Sequence, residues 1–427
     1  MKRGRVRGRR EIPSGQEGRA RGEKKGREGN TEMRIGFVIP WFAMNISGGA
    51  ETELRGLVTH FHAAGMDLEV LTTCVQQFNS DWNVNYYREG LSVEEGIPIR
   101  RFPVRQRDTA AFDAVNIRLM NNDMPLTDEL EHTFIKECVN SPALYRYMKE
   151  HSSEYDLYVF IPYMFGTTYY GVKACPRKSV LIPCLHEESY AHMRVFERCF
   201  RHLAGMIFLS EPEGELAERL YDLSRVDARV LGAGVDDIPE ADERRFREKY
   251  HLEEPFVLYA GRKDAGKNVD VLVNYFSEYR RRHETDLKLV LIGGGKVDIP
   301  SDQKDNVLDL GFLPVQDKYD AYRAASVFCN PSPHESFSIV IMESWLAGRP
   351  VLVSDDCAVT KNFVKKAMGG LYFQNYHEFE GALQYLLDHP ETAEQMGENG
   401  KEFVKANFSW DVIVKKYMDY FEGLIKK

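Results

Sequence analysis

The chain has 427 residues, 43% of them hydrophobic and 12% aromatic, which is enough to bury large cores and fits two domains better than one. No run reaches the roughly eighteen uninterrupted apolar residues of a membrane span. The seven cysteines (Cys74, Cys138, Cys175, Cys184, Cys199, Cys329 and Cys357) are odd in number and never form a C-x-x-C pair, which argues against a disulfide framework and against a structural zinc site. A reducing cytoplasm is the expected location, with peripheral contact at the inner face of a membrane left open.

Residues 1–32 differ from the rest: eleven Lys/Arg, five Glu, seven Gly and no aromatic residue, a composition that cannot pack a core. They read as a disordered basic tail or an extended start; the alternative is an arm for nucleic acid or an acidic membrane. Taking the tail's +6 from the overall −9 leaves the remainder near −15, so nucleic acid is not an expected partner of the main body.

From Met33 onward, short apolar runs alternate with amphipathic stretches, the pattern of parallel strands joined by helices. Arg34 to Pro40, Asp67 to Thr72, Leu157 to Ile161, Ser179 to Pro183 and Met206 to Leu209 form one set of strands. Phe256 to Tyr259, Lys288 to Ile292, Val307 to Leu310, Val327 to Asn330 and Pro350 to Val353 form a second. The fold class is therefore α/β, with two Rossmann-like domains, 33–236 and 237–405, facing each other across a cleft. Ligands of such sheets bind at the carboxyl ends of the strands.

Motifs fall at those ends. Gly48-Gly49-Ala50-Glu51 opens a helix, and glycines there let backbone N–H groups approach an anion. His186 follows the fourth strand, and Gly232-Ala233-Gly234-Val235-Asp236 lies between the two sets. After the strand Phe256 to Tyr259, Arg262 and Lys267 stand five apart on a loop, where a planar fork and a compact charge could neutralise a departing diphosphate. Leu291-Ile292-Gly293-Gly294-Gly295 lacks the third glycine of a dinucleotide fingerprint and reads as a glycine-rich strand end. Phe312 and Leu313 follow the strand Val307 to Leu310, where core packing and contact with a base are both open.

The densest stretch is Asn330-Pro331-Ser332-Pro333-His334-Glu335-Ser336-Phe337-Ser338-Ile339-Val340-Ile341-Met342-Glu343. A helix from about Phe337 would turn its free N–H groups and positive dipole end toward a phosphate. Glu335 lies just outside that end and Glu343 down its face, at most about 12 Å apart along the axis. Carboxylates accept from hydroxyls and repel phosphate, so one sugar at each end and a diphosphate between them is the natural ligand.

Glu335 and Glu343 with seven residues between them, followed by Ala347-Gly348-Arg349-Pro350-Val351, resemble the donor-site signature of retaining GT-B glycosyltransferases of family 4. The resemblance covers roughly Met33 to the carboxyl terminus and offers nothing between Gln76 and Tyr155. It implies that 33–236 is the acceptor-side domain and 237–405 the nucleotide-sugar (donor) domain, with catalytic roles for His186, Arg262, Lys267 and Glu335. It implies substrate contacts at Gly48, Gly49, Gly234, Phe312, Leu313, Phe337, Ser338, Ile339 and Glu343, with Glu335 on the donor sugar and Glu343 on the ribose. Ser338 departs from the glycine usual there. Residues 406–427 are expected to form a helix crossing back to the first domain. No Asp-x-Asp occurs in the folded part, so a divalent metal on the diphosphate is not expected; no cofactor is expected either, the nucleotide sugar being a substrate. The reading is a metal-independent retaining transferase that moves a sugar from a UDP- or GDP-linked donor to a hydroxyl of a saccharide or lipid-linked acceptor, in polysaccharide or glycoconjugate synthesis. A non-hydrolysing nucleotide-sugar epimerase and a catalytically silent nucleotide-sugar-binding protein are the alternatives.

Overall fold

A strand covered on both faces has no side to turn to water, so its sequence becomes a continuous apolar run rather than an alternation. Leu157–Phe160 and Phe256–Ala260 are such runs, buried at every residue. Each lies beside the first strand or at the centre of one of the two sheets in this computed structural model, which describes residues 33–46 and 48–427. The tail reading for residues 1–32 falls outside those residues.

The first sheet contains β1 (Arg34–Val38), β2 (Asp67–Thr73), β3 (Gly90–Glu94), β4 (Ile97–Phe102), β5 (Leu157–Phe160), β6 (Ser179–Leu181), β7 (Gly205–Phe208) and β8 (Asp227–Val230). Its order is β3-β4-β2-β1-β5-β6-β7-β8, parallel except for the β3–β4 hairpin. The second contains β9 (Phe256–Ala260), β10 (Lys288–Ile292), β11 (Val307–Gly311), β12 (Val327–Asn330), β13 (Val351–Ser354) and β14 (Gly370–Phe373), ordered β11-β10-β9-β12-β13-β14. Chain order reverses between β1 and β5 in one sheet and between β9 and β12 in the other. At each reversal the connections leave to opposite faces and open a crevice at the strand ends.

All ten strands expected from the apolar runs are present, with ends shifted by up to two residues. Four others, β3, β4, β8 and β14, were not expected. Three of these have exposed positions: β3 leaves Leu91 and Val93 to solvent, β8 is half-exposed to exposed throughout, and β14 has one buried residue. Strands at or near a sheet edge lack the two-sided cover that makes an interior strand legible.

The helix Trp410–Ile425 packs on the helix Gly49–Ala63 of the first sheet. Phe61 meets the rings of Tyr417 and Phe421 at 5.8 and 6.3 Å, and the Tyr417 hydroxyl donates to the Gly232 carbonyl at 2.9 Å. Ile413, Tyr417 and Phe421 are fully buried, and a buried aromatic or aliphatic side chain stabilises by about 1.5–3 kcal/mol. Trp410 lies over Gly56 and Gly234; a Cβ on either would come within 2.4 and 2.3 Å of its ring.

Candidate active site

The ends of β1, β5, β6 and β7 face the ends of β9 and β12 across a cavity of about 410 Å³. Both reversal points therefore open onto one space. The wall from the first sheet carries Gly49, Glu53, Tyr163, His186 and Glu188. The opposite wall carries Lys267, Glu335 and the turn Ser336 to Val340.

Two glycines allow the Lys267 loop its path. A Cβ on Gly293 would lie 2.1 Å from the Gly261 carbonyl oxygen, and one on Gly295 would lie 2.5 Å from that of Lys263; both have positive φ, +113° and +95°. Only glycine lets these two strand-end backbones touch. The Lys263 N–H then donates to the Gly294 carbonyl at 2.7 Å, and the buried Lys263 ammonium pairs with Asp309 at 2.7 Å. With that loop tied down, Lys267 Nζ lies 2.7 Å from Glu335 Oε1, the two side chains 23% and 15% exposed. One cation and one anion thus neutralise each other at the cavity wall.

The helix here is Ile339–Leu346, two residues later than expected, because Ser338 has left-handed backbone, φ 70° and ψ 72°. A non-glycine residue there costs about 1–2 kcal/mol. The Asn330 side-chain amide donates to Ser338 Oγ at 3.0 Å and holds the turn. Oγ is thereby an acceptor. The Phe337 ring is anchored in the core against Phe363 and Phe408 at 5.3 and 4.9 Å. What Phe337, Ser338 and Ile339 offer the cavity is mainly backbone N–H at the positive end of a helix, an anion-binding arrangement.

On the other wall, burial pushes the His186 imidazole down to about 4, with help from His334 and Lys267 and against the pull of Glu335. It is neutral near pH 7, and its Nδ1 has no hydrogen-bond partner among the described residues. The Tyr163 hydroxyl donates to Glu188 at 2.8 Å, and burial raises the Glu188 carboxyl.

Gly49, His186, Lys267, Glu335, Phe337, Ser338 and Ile339, all expected from sequence, come together on this cavity. Gly48, Gly234, Arg262, Phe312, Leu313 and Glu343 do not line it. Gly48 instead leaves room for Glu51, whose carboxylate would be 2.0 Å from a Cβ there and accepts from the Trp41 indole N–H. Gly234 lies under Trp410, so its missing side chain serves packing. The Arg262 side chain is 75% exposed, with Asp264 at 3.4 Å. Phe312 is 84% exposed beside Gly294, and Leu313 follows it on the same turn. Glu343 is drawn toward the helix Val315–Ala324. Lys318 at 2.6 Å and Tyr319 at 3.1 Å reach Oε1, and Tyr322 at 3.0 Å reaches Oε2. Glu53, Tyr163 and Glu188 line the cavity without having been singled out. For Glu53 a signal existed, because it falls on the apolar face formed by Ala50, Leu54, Leu57, Val58 and Phe61. Among the described residues no group of three His, Cys, Asp or Glu could hold a metal ion, and no helix is long and apolar enough to cross a membrane.

Residues 240–403 match the family model described as glycosyl transferases group 1. Over 226 residues, 48% of this chain and 50% of the relative, the sequence is 25% identical to a D-inositol 3-phosphate glycosyltransferase of Corynebacterium kroppenstedtii. The chain thus spans about half the length of that relative. The sucrose-phosphate synthase of Thermosynechococcus elongatus superposes with a TM-score of 0.66 at 18% identity, over 92% of this chain and 99% of that one. HepE of Anabaena, solved in complex with UDP-glucose, superposes with a TM-score of 0.64 at 14% identity, over 92% of this chain and 100% of that one. Through residues 240–403 the chain matches glycosyl transferases group 1, and over its described length it has the GT-B fold.

Proposed function

We propose that the protein is a retaining glycosyltransferase that moves a sugar from a nucleoside diphosphate, UDP or GDP, to an acceptor hydroxyl without a metal. The observation that carries this reading is the convergence of the Lys267–Glu335 pair, the N-terminal turn of Ile339–Leu346 and the neutral His186 on one cavity. The family match over the second half and the UDP-glucose bound by HepE point the same way. When a donor enters, its diphosphate takes Lys267 and the N–H groups of the Phe337 to Ile339 turn, and its sugar hydroxyls take Glu335. The partners that neutralise each other in the free protein then hold adjacent parts of the donor, its diphosphate and its sugar. As the bond from the anomeric carbon to phosphate breaks, charge grows on the leaving oxygen, and Lys267 and the helix end stabilise it. His186 offers a neutral hydrogen-bonding edge to a sugar hydroxyl. The acceptor oxygen bonds to the anomeric carbon on the face the phosphate leaves, and the acceptor proton passes to the departing phosphate oxygen. Arg262, on a loop beside the cavity, swings in to the diphosphate, and Phe312 offers an open aromatic face to the base. The acceptor is a saccharide or lipid-linked saccharide, and the product a polysaccharide or glycoconjugate.

The test is a panel of UDP-, GDP- and ADP-sugars scored by thermal stabilisation. A donor at a hundred times its dissociation constant adds about 2.7 kcal/mol to stability. Stabilisation by one nucleotide series, lost in Lys267→Ala, is the expected result. No shift with any nucleotide sugar contradicts the reading.

A further inference from the structure

Glu53 is the least explained ionisable residue of the cavity. It sits one turn into the helix Gly49–Ala63, is 5% exposed, and has a buried Oε1 with no hydrogen-bond partner among the described residues. Among the described residues no ion pair reaches it. Its titratable neighbours are the Glu213, Cys184 and Tyr417 side chains, none of them cationic. Glu213 is committed elsewhere, since both its oxygens accept backbone N–H groups, Leu185 and Leu209, each at 2.6 Å. A buried carboxyl without a partner costs stability, and this one lines the cavity opposite the helix end that would hold the donor. The same wall carries Glu188 and, among the described residues, no Lys or Arg.

We infer that Glu53 selects the acceptor: its carboxyl hydrogen-bonds a hydroxyl of an uncharged sugar, and the wall around it rejects a phosphorylated one. This rests on the transferase reading above. Burial, reinforced by Glu213, pushes the Glu53 carboxyl up to about 8. Near pH 7 it is therefore a neutral acid, able both to donate and to accept, which is what a hydroxyl requires. A phosphate on that wall would be buried without a cation, at a cost far above that of a hydroxyl.

The experiment offers methyl glucosides, galactosides and mannosides, with their 6-phosphates, to wild type, Glu53→Gln and Glu53→Met, using the nucleotide sugar that stabilises the protein. Glutamine keeps a donor and an acceptor of the same shape, so its acceptor KM is expected within about threefold of wild type. Glu53→Met, with neither, is expected to raise the acceptor KM about tenfold or more, and to raise Tm by about 2–4 °C because a buried orphan is gone. Donor-induced stabilisation is expected in all three proteins, and the 6-phosphates are expected to be the poorer acceptors. An unchanged acceptor KM in Glu53→Met, a Glu53→Met protein less stable than wild type, a Glu53→Gln protein as impaired as Glu53→Met, or preferred 6-phosphates would each overturn this inference alone. If no nucleotide sugar stabilises wild type and nothing is transferred, the transferase reading falls with it.

Discussion

Replacing Lys267 with Ala removes the one cation that, among the described residues, pairs with Glu335 at the cavity wall, and two separate losses should follow. In the free protein the pair is 2.7 Å apart with side chains 23% and 15% exposed, a gross attraction of about 6 kcal/mol at an effective dielectric near 20. Most of that is offset by desolvation, and the net cost of leaving Glu335 unpaired is about 1–3 kcal/mol. During transfer the loss is larger. A cation about 4 Å from a developing charge contributes about 4 kcal/mol at the same dielectric, and removing one preorganised oxyanion contact typically costs about 10²–10³ in turnover. Steady-state release of nucleoside diphosphate at saturating donor measures the second loss, and urea unfolding measures the first. The double variant Lys267→Ala/Glu335→Gln separates them. It should regain most of the stability, because no unpaired charge remains, and none of the turnover, because in the proposed reading each side chain serves a different part of the donor. Turnover of Lys267→Ala within about threefold of wild type, or turnover recovered in the double variant, would refute this reasoning.

Glu343→Gln should lower stability by about 1–3 kcal/mol, because Lys318, Tyr319 and Tyr322 all converge on its carboxylate; calorimetry that finds no change would show the cluster to be idle. The His186 imidazole should titrate near 4 by NMR rather than at its ordinary 6.5. Since its folded value is depressed, the stability it contributes is present above pH 6.5 and is lost as pH falls toward 4, and His186→Gln should flatten that slope. If, as proposed, the diphosphate is met by Lys267 and a helix end, excess EDTA should leave turnover unchanged; activity lost to EDTA and restored by Mg²⁺ or Mn²⁺ would contradict that.

Interior strands and the residues just beyond them were legible because one physical rule governs both: parallel strands buried on two faces read as apolar runs, and ligands gather at their carboxyl ends. That rule brought Gly49, His186, Lys267, Glu335 and the Phe337 to Ile339 turn to one cavity. It failed where a third element chose the direction of a side chain. Glu343 follows Tyr319 and Tyr322 on a helix distant in sequence, and Gly234 answers to Trp410. The helix start moved because Ser338 adopts a backbone conformation that few residues other than glycine choose. Residues 109–150 form three helices, Thr109–Met120, Asp128–Glu137 and Pro142–Glu150, whose packing no motif announces. Glu53 was the readable miss, an acid on an apolar helical face.

The most direct measurement follows the anomeric proton by NMR during transfer, with wild-type protein, an α-linked nucleotide sugar that stabilises it, and the methyl glycoside it uses best. The expected product carries a new α-glycosidic bond, formed as nucleoside diphosphate is released in equal amount. A β-linked product, or an epimerised nucleotide sugar with no transfer, would contradict the reading of this cavity as a retaining glycosyltransferase site.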